Sequence, residues 1–311
     1  MTVESVFNHS ASKAISIIVP VFNDYQRLSL CVNALLPQLD AADAELIVVD
    51  NGSPDVDQTV VGVLNSHQRT KYLIELEPGS YSARNAGLKV AEGRIIAFTD
   101  SDCIPEPDWL EQGLAILNHT HNDLIAGNIT VFCASNGPRT LLESFERVLA
   151  FPQRENATLG RSVTANFWIR RAIVERIGRF DCQAFSGADY EFSSRAVKHG
   201  AVMTFGEQCI VAHPARRELS DMRQKLRRVV GGFYRLQNKD PAMAAQLSWQ
   251  ALLSDAAPPI QALKSCIRQK QTLQLSNYEI ARVLFVALHN KWYRLWLKLR
   301  VKAGLVGFVE R

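Results

Sequence analysis

Two aspartates, one residue apart, are the side chains in this chain best suited to chemistry. Asp100 and Asp102 directly follow the apolar run 94–99, which predicts a buried β-strand. Carboxylate oxygens are the ligands that Mg²⁺ and Mn²⁺ prefer, and such a cation can neutralise a bound diphosphate. The pattern indicates a site for a metal and a diphosphate. By analogy with other sites of this kind, Asp102 would be the more direct ligand. Asp100 would lie nearer the ribose or reach the metal through water, and Ser101 lies between the two. Capping of a turn is the structural alternative.

Two further predicted strands belong to the same pattern. The runs 15–20 and 45–50 are apolar, and the second ends on Asp50. Open α/β sheets bind ligands at the carboxyl ends of their strands, so we expect one shared nucleotide crevice. Asp50 could accept hydrogen bonds from a base or ribose there. Alternatively, it only caps the turn at Asn51 and Gly52.

The segment 79–87 is rich in small residues and leads into a predicted helix. The small residues permit close approach of the backbone, and a helix N-terminus with Arg84 nearby suits anionic or polar groups of a nucleotide. The alternative is that Gly79 only makes a turn.

Five candidates in the later part of the chain complete the set. Asp189 lies at a predicted helix start and could take a proton from an attacking hydroxyl, with Glu191 as the second choice. The alternative is that both carboxylates only complement the helix N-terminus. His213 follows a predicted strand and could complete a metal shell or contact a phosphate, with Arg216 or Arg217 binding the anion. A structural histidine is the alternative.

Strand and helix signals alternate over roughly the first 130 residues, which predicts a mainly parallel sheet flanked by helices. The predicted strands are 15–20, 45–50, 71–76, 94–99, 123–132 and 203–212. Two of the predicted helices are given without full bounds: one has Val60, Val61 and Leu64 on one face, and one begins at the segment 105–108. The others are 24–36, 82–92 (with Gly93 as its stop), 141–151, 188–199, 219–236, 243–253, 260–269 and 278–306.

Size and composition indicate a globular chain. It has 311 residues, 47% hydrophobic and 21% charged, and six cysteines that form no C-x-x-C pair. No apolar run approaches the roughly 20 residues of a membrane span. The segment Met1–Lys13 has no apolar core of a secretory signal, so we expect a cytoplasmic location.

Charge divides the chain unevenly. From His213 onward there are 18 Lys and Arg against 6 Asp and Glu, a net of +12, whereas residues 1–212 carry a net of −8. We therefore expect an acidic α/β domain at 1–215 and a basic, mainly helical region at 216–311. The segment 284–302 combines tryptophans with Lys and Arg, as in helices that lie on anionic membranes. Packing on the catalytic domain or a homodimer interface remains an alternative.

An ordered series of motifs resembles family-2 glycosyltransferases of the GT-A fold. Ile17–Asn23 matches the family motif V-I-P-x-Y/F-N, and Val48–Asp55 matches V-V-D-D-G-S-x-D. Ser82–Gly87 is similar to A-R-N-x-G, and Phe98–Asp102 is similar to F-L-D-S-D-D. Weaker matches follow at Ala165–Asn166, Arg170–Arg171, Gly178–Asp181 and Asp189. The resemblance covers residues 15–213.

The resemblance implies a nucleotide-diphospho-sugar donor, most commonly a UDP-sugar, and a divalent metal. It also implies an inverting displacement in which Asp189 is the general base. Pro20, Phe22 and Asp50 would line the base and ribose pocket, and Asn23 and Asn85 join them from the matched motifs. Three departures stand out: Asn51 replaces a common Asp, Cys103 replaces a second Asp after the metal pair, and Ala188 replaces a Glu beside the base.

We therefore expect a metal-dependent glycosyltransferase of surface polysaccharide or glycolipid assembly, with a glycan or lipid-linked acceptor and no nucleic acid partner. A nucleotidyltransferase would be expected to carry a Gly-rich basic loop after strand one, where this chain has Pro20–Asn23. A dehydrogenase is disfavoured because no G-x-G-x-x-G follows a strand. A glycan- or nucleotide-binding scaffold with weak or no catalysis is the remaining alternative, and Ala188 favours it.

Overall fold

A computed structural model describes residues 13–119, 121–133, 137–184 and 186–307. Residues 1–12, on which the expectation about a secretory segment depends, lie outside the described residues. The strands within the described ranges are β1 (Lys13–Val21), β2 (Ala44–Asp50), β3 (Thr70–Ile74), β4 (Gly93–Thr99), β5 (Ile104–Pro105), β6 (Leu124–Phe132), β7 (Asn166–Arg170) and β8 (Met203–Pro214). The helices are α1 (Tyr25–Leu35), α2 (Gln58–Ser66), α3 (Ser80–Val90), α4 (Trp109–His119), α5 (Leu141–Leu149), α6 (Gln153–Thr158), α7 (Arg171–Ile177), α8 (Ala188–Lys198), α9 (Leu219–Leu236), α10 (Pro241–Ala245), α11 (Trp249–Ala256), α12 (Ile260–Gln269) and α13 (Asn277–Lys302), with a 3₁₀ turn at Leu36–Gln38.

The strands form a single mixed sheet in the order β3-β2-β1-β4-β7-β6-β8-β5. β1 pairs in parallel with β2 and β4, and β2 pairs in parallel with β3. These inner strands are apolar along most of their length because helices cover both faces of a parallel sheet. Their register places Val21 opposite Asp50 and Ile18 opposite Phe98, so the three carboxyl ends lie at one edge. The expected convergence of strand ends is confirmed.

The other half of the sheet is antiparallel. β7 runs against both β4 and β6, and β5 runs against β8. β7 was not predicted, although Phe167, Trp168 and Ile169 are buried in it. A five-residue strand flanked by the charged pair Arg170–Arg171 gives little periodic signal.

Close packing places α3 directly over the central strand. A Cβ on Gly87 would lie 2.6 Å from Ile18 Cγ2, so only glycine allows this approach. α2 buries Val60, Val61 and Leu64, the face that the sequence predicts.

Several predicted boundaries are wrong. α3 begins at Ser80 rather than Ser82, and Gly93 starts β4 instead of ending the helix. α4 begins only at Trp109, after the short strand β5. The single helix predicted over 243–253 is two helices, α10 and α11, because Ser248 caps a new helix by accepting a hydrogen bond from Ala251 N. α6 and α7 were missed.

The chain divides into two compact units. The first contains residues 1–130, 153–182 and 188–213, and the second contains 131–152, 183–187 and 214–311. In the second unit α13 packs on α5, α9, α11 and α12 around a core that includes Leu142, Val286 and Leu297. The domain division predicted after residue 215 stays a prediction. None of the helices in the described part of the chain combines the length and apolar composition needed to cross a membrane.

We predict that Gly93→Ala strongly destabilises the protein. A Cβ at this position would lie 2.3 Å from Ser16 N and 2.4 Å from Ile15 C, backbone atoms that cannot move without disrupting the β1–β4 pairing. We expect a loss on the order of 3 kcal/mol, measured as the free energy of unfolding in urea. Gly62→Ala is the matched control, because no atom lies within 4 Å of its added Cβ in α2, and it should stabilise by up to about 1 kcal/mol. Equal unfolding midpoints for the two variants would contradict the packing argument.

Candidate active site

The carboxyl end of β4 and the end of β8 bring four possible metal-ligating side chains together. One ligand atom from each of Asp100, Asp102, Cys103 and His213 lies within 4.8 Å of the others. His213 Nε2 is 3.7 Å from Asp102 Oδ1, although the two residues are far apart in sequence. Burial raises the pKa of the Cys103 thiol well above its ordinary value, and the charges of Asp100 and Asp102 raise it further. The two carboxylates and the imidazole of the cluster fit a divalent cation such as Mn²⁺ or Mg²⁺, for which oxygen and nitrogen ligands are better suited than sulfur.

A buried arginine supports this cluster from α3. The Arg84 side chain is 3% exposed, and its guanidinium forms an ion pair with Asp100 Oδ1. Arg84 also donates to Ser80 O at 3.3 Å, and its Nε is buried without a hydrogen-bond partner in the described part of the chain. The arrangement places a fixed positive charge next to the aspartate pair.

Asp189 lies in the first turn of α8 and is tied to the same neighbourhood. Its Oδ1 accepts hydrogen bonds from Tyr81 Oη at 3.0 Å and from Tyr190 N at 3.0 Å. Burial raises the pKa of Asp189 above its ordinary value, and the negative charge of Asp100 raises it further. The two hydrogen bonds and the charge of Arg84 oppose these effects without cancelling them. Asp189 and Asp100 are thus close enough for their charges to interact.

Glu191, the second choice for the base, is bound differently. It forms a two-pronged ion pair with Arg195, with Nε–Oε1 at 2.7 Å and Nη2–Oε2 at 3.0 Å. Residues two apart on a helix project in nearly opposite directions, so Glu191 points to a different side of α8 from Asp189. The geometry favours Asp189.

Asp50 is buried and satisfied within the fold. Its Oδ1 accepts from Ser53 N and Oγ at 2.9 and 2.6 Å, and its Oδ2 accepts from Tyr25 Oη and Tyr72 Oη at 2.8 and 3.0 Å. Burial would raise the pKa of Asp50, but the hydrogen bonds outweigh it and the pKa is lowered. The carboxylate therefore orients two tyrosine hydroxyls and the 50–53 turn, which is more than the simple cap considered from the sequence.

Asn51 organises the neighbouring loop. Its side-chain amide donates to Glu75 O at 2.9 Å and Glu77 O at 2.8 Å, while its Oδ1 accepts from Gly79 N at 2.6 Å. A carboxylate could not make the first two bonds because it has no donor. This chain's departure from the common Asp thus holds the loop before α3, in which Gly79 has a φ of 122°.

The other predicted nucleotide-binding residues have varied surroundings. Pro20 is buried in β1, whereas Phe22 is 60% exposed just beyond the strand. Asn23 has a φ of 51° and donates its N–H to Ser53 Oγ at 2.8 Å. Ser101 lies in the turn after β4.

Asn85 is engaged in the fold. Its amide donates to Phe180 O at 2.9 Å and accepts from Phe180 N at 3.1 Å, which fixes the segment before α8. The predicted anion-binding arginines are also paired, since Arg216 binds Glu146 at 2.7 Å and Arg217 Nε lies 3.5 Å from Glu143. The site roles of these residues stay predictions.

Four contributors escaped the sequence analysis. They are Tyr25, Arg27, Tyr72 and Tyr81. Arg27 lies in the first turn of α1 and reaches within 3.6 Å of Asp102 Oδ2. Tyr81 lies within the segment 79–87 that the sequence analysis singled out, so the sequence could have pointed to it. Tyr72 lies in β3, and nothing in the sequence distinguishes it from the other strand residues.

A family profile matches this site-bearing part of the chain. The description is glycosyl transferase family 2, and the match covers residues 16–178, just over half of the chain. The chain belongs to this family and is a glycosyltransferase, which argues against the nucleotidyltransferase and scaffold alternatives.

Two relatives show the range of similarity. The chain is 35% identical over 207 residues to the glycosyltransferase AglE of Haloferax volcanii, covering 65% of this chain and 67% of AglE. It is 28% identical over 219 residues to the pre-mycofactocin glycosyltransferase of Mycobacterium tuberculosis, covering 67% of this chain and 44% of the relative. The chain therefore spans about two thirds of the first relative and less than half of the second.

Solved structures share the fold. S. aureus TarS 1–349 in complex with UDP matches with a TM-score of 0.53 at 16% identity, over 94% of this chain and 92% of that one. GalNAc-T7 with UDP, GalNAc and Mn²⁺ matches with a TM-score of 0.53 at 18% identity, over 66% of this chain and 44% of that one. The predicted GT-A fold with C-terminal helices is confirmed.

We predict unequal stability effects when the two aspartates after β4 are neutralised. Asp100→Asn removes the ion-pair partner of the buried Arg84 guanidinium and should cost about 2 kcal/mol of unfolding free energy. Asp102→Asn should cost less than about 1 kcal/mol, because Arg27 is half exposed and 3.6 Å away. Urea denaturation without added metal measures both. A larger loss for Asp102→Asn would refute the assigned role of Arg84.

Proposed function

We propose that this chain is an inverting glycosyltransferase that moves a sugar from a nucleotide-diphospho-sugar to a hydroxyl acceptor, with Asp189 as the base. One observation carries the proposal. A continuous chain of contacts links the base to the aspartate pair: Asp189 to Tyr81, Tyr81 to the Arg84 guanidinium 5.6 Å from its ring, and Arg84 to Asp100. A base, a fixed cation and a metal-ligating pair thus occur together in the first unit.

Asp102, Asp100 and His213 would hold the cation. A bound Mn²⁺ or Mg²⁺ would neutralise charge on the departing diphosphate. The fixed charge of Arg84 would add to this, and its buried Nε–H is a donor that a phosphate oxygen could satisfy. UDP is the proposed nucleotide, since TarS and GalNAc-T7 were both solved with UDP. Phe22 and the hydroxyls oriented by Asp50 would receive the base and ribose.

The reaction needs one proton acceptor. Asp189 takes the proton of the acceptor hydroxyl as the oxygen attacks the anomeric carbon, while the bond from that carbon to the diphosphate oxygen breaks on the opposite side. Both hydrogen bonds described above end on Oδ1, so Oδ2 is the oxygen that would receive the proton. Burial makes the carboxylate a stronger base than an exposed aspartate, because it raises the pKa.

We further propose a place for this activity. The acceptor is a glycan or a lipid-linked glycan of polysaccharide or glycolipid assembly, and the enzyme works in the cytoplasm, peripheral on the inner face of the membrane. The support is the net charge of +12 from His213 onward together with the aromatic, basic helix α13.

The metal and nucleotide are tested by thermal unfolding. UDP with Mn²⁺ should raise the melting temperature by several degrees, since a ligand at about 100 times its Kd adds about 2.7 kcal/mol. UDP with EDTA should raise it much less. Asp102→Ala should abolish the difference between Mn²⁺ and EDTA while keeping a stable fold. GDP, dTDP and CDP serve as comparison ligands. If one of them raised the melting temperature more than UDP, that nucleotide would be assigned to the donor instead of UDP. Equal shifts with Mn²⁺ and EDTA in the unaltered protein would contradict the metal site.

The base is tested by the pH dependence of nucleoside diphosphate release from the sugar nucleotide. The rate should rise with pH as Asp189 ionises. Tyr81→Phe removes a hydrogen bond that lowers the Asp189 pKa, so the rising limb should move to higher pH by up to about one unit. Tyr190→Phe is the matched control, because its hydroxyl accepts from Asn156 rather than binding Asp189. Asp189→Asn should lose nearly all activity, and full activity in that variant would refute the proposal, as would an unchanged profile for Tyr81→Phe.

A further inference from the structure

One face of α13 exposes large apolar side chains along most of its length. They are Tyr278, Phe285, Trp292, Trp296 and Leu299, with exposed fractions from 45% to 71%. Four of them recur every seven residues and Trp296 lies one turn after Trp292, so all five fall within a sector of about 60°. We call this set the aromatic stripe. Singly exposed apolar residues are ordinary, but a contiguous row over 22 residues is an interaction surface.

The stripe is not needed for packing of the second unit. The opposite side of α13 supplies the buried residues, including Val283, Val286 and Leu297, which pack with α5 and α9. The helix is thus anchored by one face and presents the other to solvent.

Neighbouring α11 has exposed apolar side chains of its own. It packs beside the last turns of α13, where Arg294 Nε binds Asp255 at 2.9 Å and Lys298 Nζ binds the same carboxylate at 2.7 Å. Trp249 and Leu253 of α11 are 66% and 71% exposed. The Lys302 amine lies 4.7 Å from the Trp249 ring centroid, which connects the two helices at their exposed side.

Basic side chains border the stripe on both sides. Around the helix axis Arg282 and Arg300 lie on one side of the stripe and Lys302 lies on the other, whereas Lys291 lies further round and donates to Ser254 O of α11. The Arg300 guanidinium is 4.9 Å from the Trp296 ring and that of Arg282 is 5.5 Å from the Tyr278 ring. Cations beside aromatic rings at the edges of an apolar face are typical of helices that lie in a membrane interface.

Charge decides between a lipid surface and a second copy of the chain. The second unit has 20 Lys and Arg and 8 Asp and Glu, a net of +12. A symmetric dimer through the stripe would bring two such units and their basic borders together, which is repulsive. Anionic headgroups supply the complementary charge.

We infer that the aromatic stripe docks α13 parallel to the surface of an anionic bilayer. The aromatic rings enter the headgroup region, and Arg300 and Lys302 near the end of α13 contact lipid phosphates. This deepens the proposed membrane location by naming the docking face and the partner, and it does not rest on glycosyl transfer.

The test uses the full-length protein and vesicles of phosphatidylcholine, with or without phosphatidylglycerol. Sedimentation should show binding to the mixed vesicles that weakens with salt, and tryptophan fluorescence should shift to the blue. Trp292→Ser with Trp296→Ser should weaken binding about tenfold or more. Arg300→Glu with Lys302→Glu should abolish the preference for anionic vesicles. Leu159→Ser with Val202→Ser, exposed apolar positions in the first unit, is the matched control and should bind like the unaltered protein.

Two results would overturn the inference. One is equal binding by the stripe variant and the control, and the other is a dimer in analytical ultracentrifugation that dissociates only in the stripe variant. Melting curves of every variant exclude misfolding as the cause. Nucleoside diphosphate release is measured in parallel and should be unchanged in the stripe variant. Failure of that activity in the unaltered protein would therefore count against the proposed function and leave the docking result intact.

Discussion

The buried guanidinium of Arg84 is the constraint on which the candidate site depends. It pairs with Asp100 at the end of β4 and lies beside the ring of Tyr81, whose hydroxyl binds Asp189. A buried charge without a partner is costly, so Arg84 holds the aspartate pair in place while it also supplies positive charge. Gly87, one turn later on α3, allows the helix close enough to β1 for this contact. The position of Asp100 at the end of β4, the packing of α3 on β1 and the charge next to the aspartates therefore depend on one another.

Internal hydrogen bonds hold the end of β2 and the loops that follow it in place. Asp50 satisfies four donors and fixes two tyrosine hydroxyls, and Asn51 joins three backbone groups of the loop that precedes α3. Side chains held in this way lose little conformational entropy when a ligand binds. Asp50 and Asn51, which the matched motif marks as candidate ligands, therefore also hold the local backbone in place.

The two units divide the charge of the protein. The first carries the acidic residues of the site, and the second carries a large excess of Lys and Arg around helices with exposed aromatic side chains. The acidic side chains around Asp100 and the basic, aromatic surface of α13 therefore belong to different units of the chain.

The sequence by itself determined the α/β fold, the strand ends that carry Asp50 and Asp100, and the amphipathic helices from Leu219 onward. These depend on local periodicity and on the rule that parallel strand ends share an edge, both of which are readable from neighbouring residues. Only the tertiary structure showed that Asp189 accepts a hydrogen bond from Tyr81, whereas Glu191 pairs with Arg195. It also showed that Tyr72 binds Asp50 and that Arg27 lies near Asp102. Contacts between residues 108 positions apart, such as Tyr81 with Asp189, depend on how helices pack across the sheet. The antiparallel strand β7 also depends on the tertiary structure, because pairing with β4 and β6 supplies the stability that its short sequence does not encode.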